Sequence, residues 1–216
     1  MNIVLFGPPG AGKGTQGDNL VKEFNLFKIS TGDLLRYEIK KDTDLGKKIK
    51  SIMDSGELVS DDTINSLIEK FLSQKKHYNS LVFDGYPRNI GQAEELDILL
   101  KKYKQKISCV LSLKINNESA TKRILGRQIC TKCGLTFNKF FNVSKKENHN
   151  CGLKYLITRS DDNEKVIKNR FATYTKETLP ILNYYQNQKI LYEIDGMGEI
   201  GSIYKEIREI IHSLET

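Results

Sequence analysis

Nine consecutive residues, Gly7-Pro8-Pro9-Gly10-Ala11-Gly12-Lys13-Gly14-Thr15, have the types and spacing to hold a phosphate. Glycines let backbone N–H groups close around an anion without interference from Cβ atoms. A helix starting here adds a partial positive charge, and Lys13 adds a full one. The pattern G-x4-G-K fits the Walker loop, and it sits where that loop belongs, between an apolar strand and a helix. It departs in one respect: Gly14 follows Lys13, and the hydroxyl comes one residue later, at Thr15. A glycine-rich turn with a chance lysine would not explain the flanking elements.

Arginine use adds to this. The chain has 34 Lys and Arg, but only seven are Arg: Arg36, Arg88, Arg123, Arg127, Arg159, Arg170 and Arg208. Lysine meets the general need for positive charge, so arginine marks places where a planar, bidentate fork is required. Any one of these would be an ordinary surface or ion-pairing residue, but six of the seven fall in recurrent strings. An acid, Asp84, closes the apolar run Leu81-Val82-Phe83. A carboxylate at the C-terminal end of a parallel strand lies in the crevice where α/β sheets bind ligands. Alone, it would read as a helix cap.

The form G-x-P-G-x-G-K-G-T resembles the loop of adenylate kinases and related nucleoside monophosphate kinases, and the resemblance runs nearly end to end. It implies a P-loop NTPase fold and transfer of the terminal phosphoryl group of Mg-ATP to AMP, giving two ADP. On the donor side it assigns Gly10, Ala11, Gly12, Lys13, Gly14 and Thr15 to the ATP phosphates. Arg123-Ile124-Leu125-Gly126-Arg127 is similar to the family's R-x-x-G-R, with Arg123 against the ATP base and Arg127 on its phosphates. Thr136 and Phe137 match residues near the donor, and the backbone around Gly198 borders its adenine. On the acceptor side, Ser30–Arg36 resembles S-T-G-D-x-x-R, in which Thr31 meets the AMP base and Arg36 the phosphate. Glu57, Leu58 and Val59 inherit backbone contacts to that adenine. Asp84-Gly85-Tyr86-Pro87-Arg88, with Gln92 a turn later, resembles D-G-Y-P-R…Q. There Asp84 holds hydrated Mg2+, Gly85 lets AMP approach, Arg88 clamps the AMP phosphate and Gln92 bonds adenine; Tyr86 and Pro87 belong to the same string. Arg159-Ser160-Asp161-Asp162 and Arg170 resemble R-x-D-D…R, the pair that closes on the transferring group. The expected catalytic set is Lys13, Asp84, Arg88, Arg123, Arg127, Arg159 and Arg170.

Three of the four cysteines lie between residues 126 and 162. Cys130-x2-Cys133 has metal-ligand spacing. The segment resembles the long lid of bacterial and mitochondrial adenylate kinases, which many bacterial members hold with a structural Zn2+. Its second half departs from the family's C-x2-C or C-x2-D. Here the stretch is Asn148-His149-Asn150-Cys151, which offers Cys151 as third ligand and His149 as the best candidate for the fourth. The alternative is a lid with free thiols and no metal. Cys109 falls in a core strand and reads as a small hydrophobe. His77 and His212 carry no signal.

Strands are expected at Asn2–Phe6, Phe27–Ser30, Leu81–Asp84, Ser108–Ile115 and Ile190–Ile194. Helical patterns occupy Gly14–Phe24, Asp61–Gln74, Ile90–Lys101, Asn117–Leu125, Asn163 towards Thr178, and Ile200–Leu214. Alternation argues for an α/β fold, a five-stranded parallel sheet flanked by helices. Two stretches break it. Residues 30–59 are helical without a strand, and 126–162 are polar without a helical period. These read as two insertions: 30–59 for AMP and 126–162 as a lid. The core is then 1–29, 60–125 and 163–216. Hinges are expected near Ser30, Ser60, Leu125–Gly126 and Asp161–Asn163.

Composition is ordinary for a globular protein: 38% hydrophobic, 28% charged. No apolar run approaches the roughly 20 residues of a membrane span. The start MNIVLFGPPG lacks a charged n-region and a cleavage site, so no signal peptide is read and a cytoplasmic protein is expected; the resemblance to adenylate kinases implies a monomer. The net charge of +7 permits nucleic acid as a partner, but no reader motif or aromatic interleaving accompanies it. Two competing readings stand beside AMP phosphorylation. One is a kinase for UMP or CMP, against which Thr31, Gln92 and the long lid speak. The other is a nucleotide-gated zinc ribbon that binds nucleic acid, which leaves the acceptor strings unexplained.

Overall fold

Strand β1 (Asn2–Phe6) is buried along its whole length, and alternation splits its side chains between two cores. Ile3 and Leu5 face one side with Leu20, Val82, Leu111, Ile203 and Ile207. Val4 and Phe6 face the other with Phe83, Leu96, Leu100, Ile181 and Tyr185. The remaining sheet strands are β2 (Phe27–Ser30), β3 (Leu81–Asp84), β4 (Cys109–Lys114) and, last in the chain, β8 (Leu191–Asp195). A computed structural model describing residues 1–74 and 77–215 arranges them in the order β2-β3-β1-β4-β8, all parallel. Lys75, Lys76 and Thr216, assigned to the core by sequence, lie outside the described residues. β1 sits at the switch point, with β3 on one flank and β4 on the other, so a crevice opens above its C-terminal end.

Helices α1 (Lys13–Phe24), α4 (Asp61–Leu72), α5 (Ile90–Lys102) and α6 (Asn117–Leu125) follow the sequence patterns to within two residues. Their starts are set by local chemistry. Asn89 accepts from the Gln92 N–H at 2.7 Å and Asn116 from the Ser119 N–H at 2.8 Å, both as N-caps. Ser60 begins α4 differently: its hydroxyl meets Thr63 Oγ1 at 2.9 Å, and Asp61 and Asp62 supply the negative charge of the first turn. Residues 30–59 hold α2 (Thr31–Lys40) and α3 (Asp44–Ser55), which pack on each other.

Residues 126–162 carry structure that a helical-period search cannot see. Strands β5 (Arg127–Cys130), β6 (Thr136–Asn138) and β7 (Leu156–Ile157) form a separate antiparallel sheet in the order β6-β5-β7. Beyond it, α7 (Glu164–Thr173) runs into a π-helical turn at Tyr174–Thr178. A short helix, α8 (Ile181–Asn187), follows Pro180, and α9 (Ile200–Glu215) covers α1. Among the described residues no helix is long and apolar enough to cross a membrane.

Candidate active site

The crevice above β1 is a cavity of about 860 Å³. Its floor is the loop between β1 and α1, which packs so tightly that a Cβ on Gly10 would lie 2.5 Å from the Ala120 carbonyl oxygen of α6. Lys13 begins α1, and its Nζ donates to the carbonyls of Gly7 (2.7 Å) and Pro8 (2.9 Å). Gly14 faces Asp84: a Cβ there would meet the carboxylate at 3.5 Å. The absent hydroxyl at residue 14 therefore leaves room between the helix start and the acid ending β3.

β3 delivers the next group. Gly85, at φ +80°, turns the chain in a conformation that other residues adopt only with strain. Thr31 Oγ1 and Arg88 Nε both donate to its carbonyl at 2.7 Å. The Thr31 hydroxyl, donating its hydrogen to Gly85, keeps its lone pairs for a ligand donor. Gln92 is buried and engaged at both ends, accepting from the Arg88 N–H at 2.8 Å and donating to Asp61 Oδ1 at 2.6 Å. One amide N–H and one lone pair are left for a ligand.

The small sheet and α7 bring in further arginines. Arg127 makes a bidentate pair with Asp162, one arm at 2.8 Å. Arg170 meets Asp161 at 3.1 Å. Arg36 bonds Asp33 at 2.7 Å, and Arg159 lies 3.6 Å from the same carboxylate. Arg159 Nε is buried with no hydrogen-bond partner among the described residues. Arg123 donates to the Gly196 carbonyl at 2.8 Å and lies over the Phe141 ring.

This crowding has an electrostatic signature. Burial brings the Lys13 ammonium down to about 8; Asp84 opposes this, while Arg88, Arg170 and Arg127 add to it. Burial and then Arg170 bring Arg88 to about 10, and burial with Arg127 and Arg36 does the same to Arg159. Arg170 is lowered mainly by burial. Burial pulls Arg127 down too, but the Asp162 carboxylate more than offsets it. So many cations sharing one low-dielectric cavity call for an anion of several charges.

Every nucleotide-site residue expected from sequence lines this cavity except Tyr86. Tyr86 points the other way: it is buried in the core and its hydroxyl donates to Asn65 Oδ1 at 2.7 Å. Phe140, Phe141, Asn138 and Met197 also line the cavity but were not foreseen. Asn138 Nδ2 donates to the Arg123 carbonyl at 2.7 Å, tying the small sheet to α6.

Away from the cavity, ligand atoms of Cys130, Cys133, His149 and Cys151 all lie within 4.8 Å of one another. His149 Nε2 is buried and without a hydrogen-bond partner among the described residues, as a metal ligand would be before it is loaded. Burial raises the Cys130 thiol, but hydrogen bonds, the Cys133 N–H foremost, outweigh this and bring it to about 6. Burial and hydrogen bonds to Cys133 and Cys130 push Cys151 up to about 11. Three sulfurs and one imidazole suit a tetrahedral Zn2+.

A phosphate loop at a sheet switch point, under a cation-lined cavity of about 860 Å³, defines a nucleoside monophosphate kinase with the P-loop NTPase fold. The comparisons narrow this. The adenylate kinase family model matches residues 5–190. The adenylate kinase of Pelagibacter ubique is 44% identical over 211 residues, covering 98% of this chain and 99% of that one. That of Chloroherpeton thalassium is 44% identical over 99% of both chains. That of Archaeoglobus fulgidus is 38% identical over the full length of both. The chain belongs to the adenylate kinase family, and its chemistry is phosphoryl transfer between adenine nucleotides.

Proposed function

We propose that the cavity holds ATP and AMP end to end and passes the γ-phosphoryl of ATP directly to the AMP phosphate, reversibly, giving two ADP. The observation that carries this is the cation cluster, with Lys13, Arg88 and Arg159 all brought below their ordinary values inside one cavity. ATP would lie along the N–H groups of Gly10–Thr15, with Lys13 and Arg127 on its phosphates. Arg123, Thr136, Phe137 and the Gly198 backbone would flank its base. AMP would sit against Thr31, Glu57–Val59, Gly85, Pro87 and Gln92, with Arg36 and Arg88 on its phosphate. Arg159 and Arg170 would close on the group in flight.

The phosphate of AMP is already a nucleophile, so no general base is needed; positioning and neutralised charge carry the reaction. Asp84, through waters, would hold the Mg2+ that arrives with ATP, and Thr15 offers a hydroxyl in the same cavity. That ion adds positive charge where the phosphates meet. Water is the competing acceptor, so residues 30–59 and the lid, 126–162, would close over the nucleotides before transfer, moving against a core of 1–29, 60–125 and 163–216. Zn2+ held by Cys130, Cys133, His149 and Cys151 would be structural. We take the protein to be a cytoplasmic monomer acting on free nucleotides, not on nucleic acid or at a membrane. The site arginines Arg36, Arg88, Arg123, Arg127, Arg159 and Arg170 all line the cavity.

A coupled assay of ADP formation from Mg-ATP, with AMP, UMP, CMP and GMP offered separately, tests this. Strong turnover with AMP is expected. Turnover with another monophosphate but not AMP would overturn the base assignments at Thr31 and Gln92. No transfer from folded protein to any of them would overturn the reaction.

A further inference from the structure

We propose that Ser144 is the residue that makes His149 a metal ligand: its hydroxyl holds the Nδ1 edge of the ring, so that Nε2 presents a lone pair to Cys130, Cys133 and Cys151. This rests on the metal site proposed above. Ser144 Oγ lies 2.7 Å from His149 Nδ1, and the pair is buried. The opposite edge of the ring is Nε2, buried with no geometric hydrogen-bond partner among the described residues, and with Nδ1 taken by Ser144 it is the nitrogen free to serve the cluster, whose ligand atoms lie within 4.8 Å of one another.

A neutral imidazole carries one N–H and one lone pair, and a partner on one nitrogen decides which the other offers. With Ser144 accepting from Nδ1–H, Nε2 is free to bind a cation. Were Ser144 donating to Nδ1, Nε2 would carry a hydrogen and could not bind. The hydroxyl allows either state, and a metal selects the first.

The hydroxyl is itself held in place. The Asn148 side chain brackets Ser144, accepting from the Lys145 N–H at 2.7 Å and donating to the Val143 carbonyl at 3.0 Å. The ring is also packed by Phe137, with centroids 4.7 Å apart. Position and orientation are therefore set separately: Phe137 fixes where the ring lies, and Ser144 fixes which nitrogen faces the sulfurs. This matters because the second half-site is a tight H-x-C, in which backbone spacing alone does not dictate the ring's orientation.

The test is metal binding by the full chain, for the unaltered protein, S144A and S144T. Each is stripped, then titrated with Co2+ and with Zn2+ against a competing chelator. One ion per chain with sulfur-to-cobalt charge-transfer bands is expected for the unaltered protein. S144A should bind about 10- to 100-fold more weakly, the range for loss of a group that orients a ligand, and S144T should recover most of the affinity. Thermal midpoints should separate S144A from the unaltered protein more when loaded than when stripped. Full affinity in S144A, beside one ion in the unaltered protein, would overturn the role of Ser144 and leave the metal site standing. An equal stability loss loaded and stripped would make Ser144 a plain structural hydrogen bond, and equal weakness in S144T would show that the hydroxyl is not the agent; either overturns the proposal. No ion in the unaltered protein would remove the metal site, and the proposal with it.

Discussion

Arg88 is held by its neighbours at three atoms: Nε on the Gly85 carbonyl, N–H on Gln92, and carbonyl on the Thr178 hydroxyl. That fixes the fork in the cavity, where burial and Arg170 oppose its charge. We predict that Arg88→Ala cuts kcat by about 10²- to 10³-fold or more, the range for a lost transition-state charge contact. The ligand-free thermal midpoint should not fall, because a crowded cation has been removed. Steady-state kinetics and a melt on one preparation would check both. Gly85 is the more delicate neighbour. A Cβ there would lie 2.9 Å from both Arg88 Nη2 and Thr31 Oγ1, at φ +80°. Gly85→Ala should cost about 1–2 kcal/mol of stability from backbone strain. It should also lower kcat/KM for AMP by on the order of 10²-fold through misplacement, with KM for ATP nearly unchanged. Varying the two substrates separately would show that asymmetry, and equal effects on both would refute it.

Among the elements, β1, β2, β3 and α6 have the bounds that sequence gave them, because each is an apolar or β-branched run, or a capped helix, closed by a turn signal. The strands of residues 126–162 were not legible. They are two to four residues long, too short for alternation to register. α8 escaped for a related reason: it has seven residues and follows a π-helical turn that breaks the 3.6-residue period. The site was legible where a string lies on one turn or strand end, as in residues 7–15 and 84–88. It was not legible where hairpin register decides. Pairing of Arg127 with Asn138 and Gln128 with Phe137 carries Asn138, Phe140 and Phe141 to the cavity, and no local pattern announces that register. Tyr86 was misread for the opposite reason: it sits inside a functional string, but its own ring belongs to the core. Phe137 touches both the His149 ring and the nucleotide cavity. If Zn2+ is held there as proposed, stripping it should therefore raise KM for ATP more than KM for AMP, and lower the thermal midpoint by about 5 °C or more. Kinetics and calorimetry with and without chelator would check both.

Across the whole molecule, folding without ligand buries the Lys13 ammonium and, to a lesser degree, crowds it with arginines, and this links stability to pH. The Lys13 value drops from 10.5 to about 8 in the folded chain. Between those values the unfolded chain holds a proton that the folded chain has lost, so ligand-free stability should rise as pH rises through that window. The whole displacement corresponds to roughly 3 kcal/mol, present above the unfolded value and lost as pH falls to about 8. Nucleotide phosphates reverse the sign: they favour the charged lysine and raise its value, so binding above pH 8 must take up a proton. The rise in thermal midpoint caused by ATP, without Mg2+ or AMP, should be large at pH 7 and clearly smaller at pH 9.5. In Lys13→Met it should be small at both. The pH profile of kcat/KM for ATP should fall above about pH 8, while kcat, which reports the nucleotide-bound enzyme, holds to higher pH. An ATP-induced shift that is the same at both pH values in the unaltered protein would mean that Lys13 is fully charged before ATP arrives, and that burial beside the arginines does not lower it.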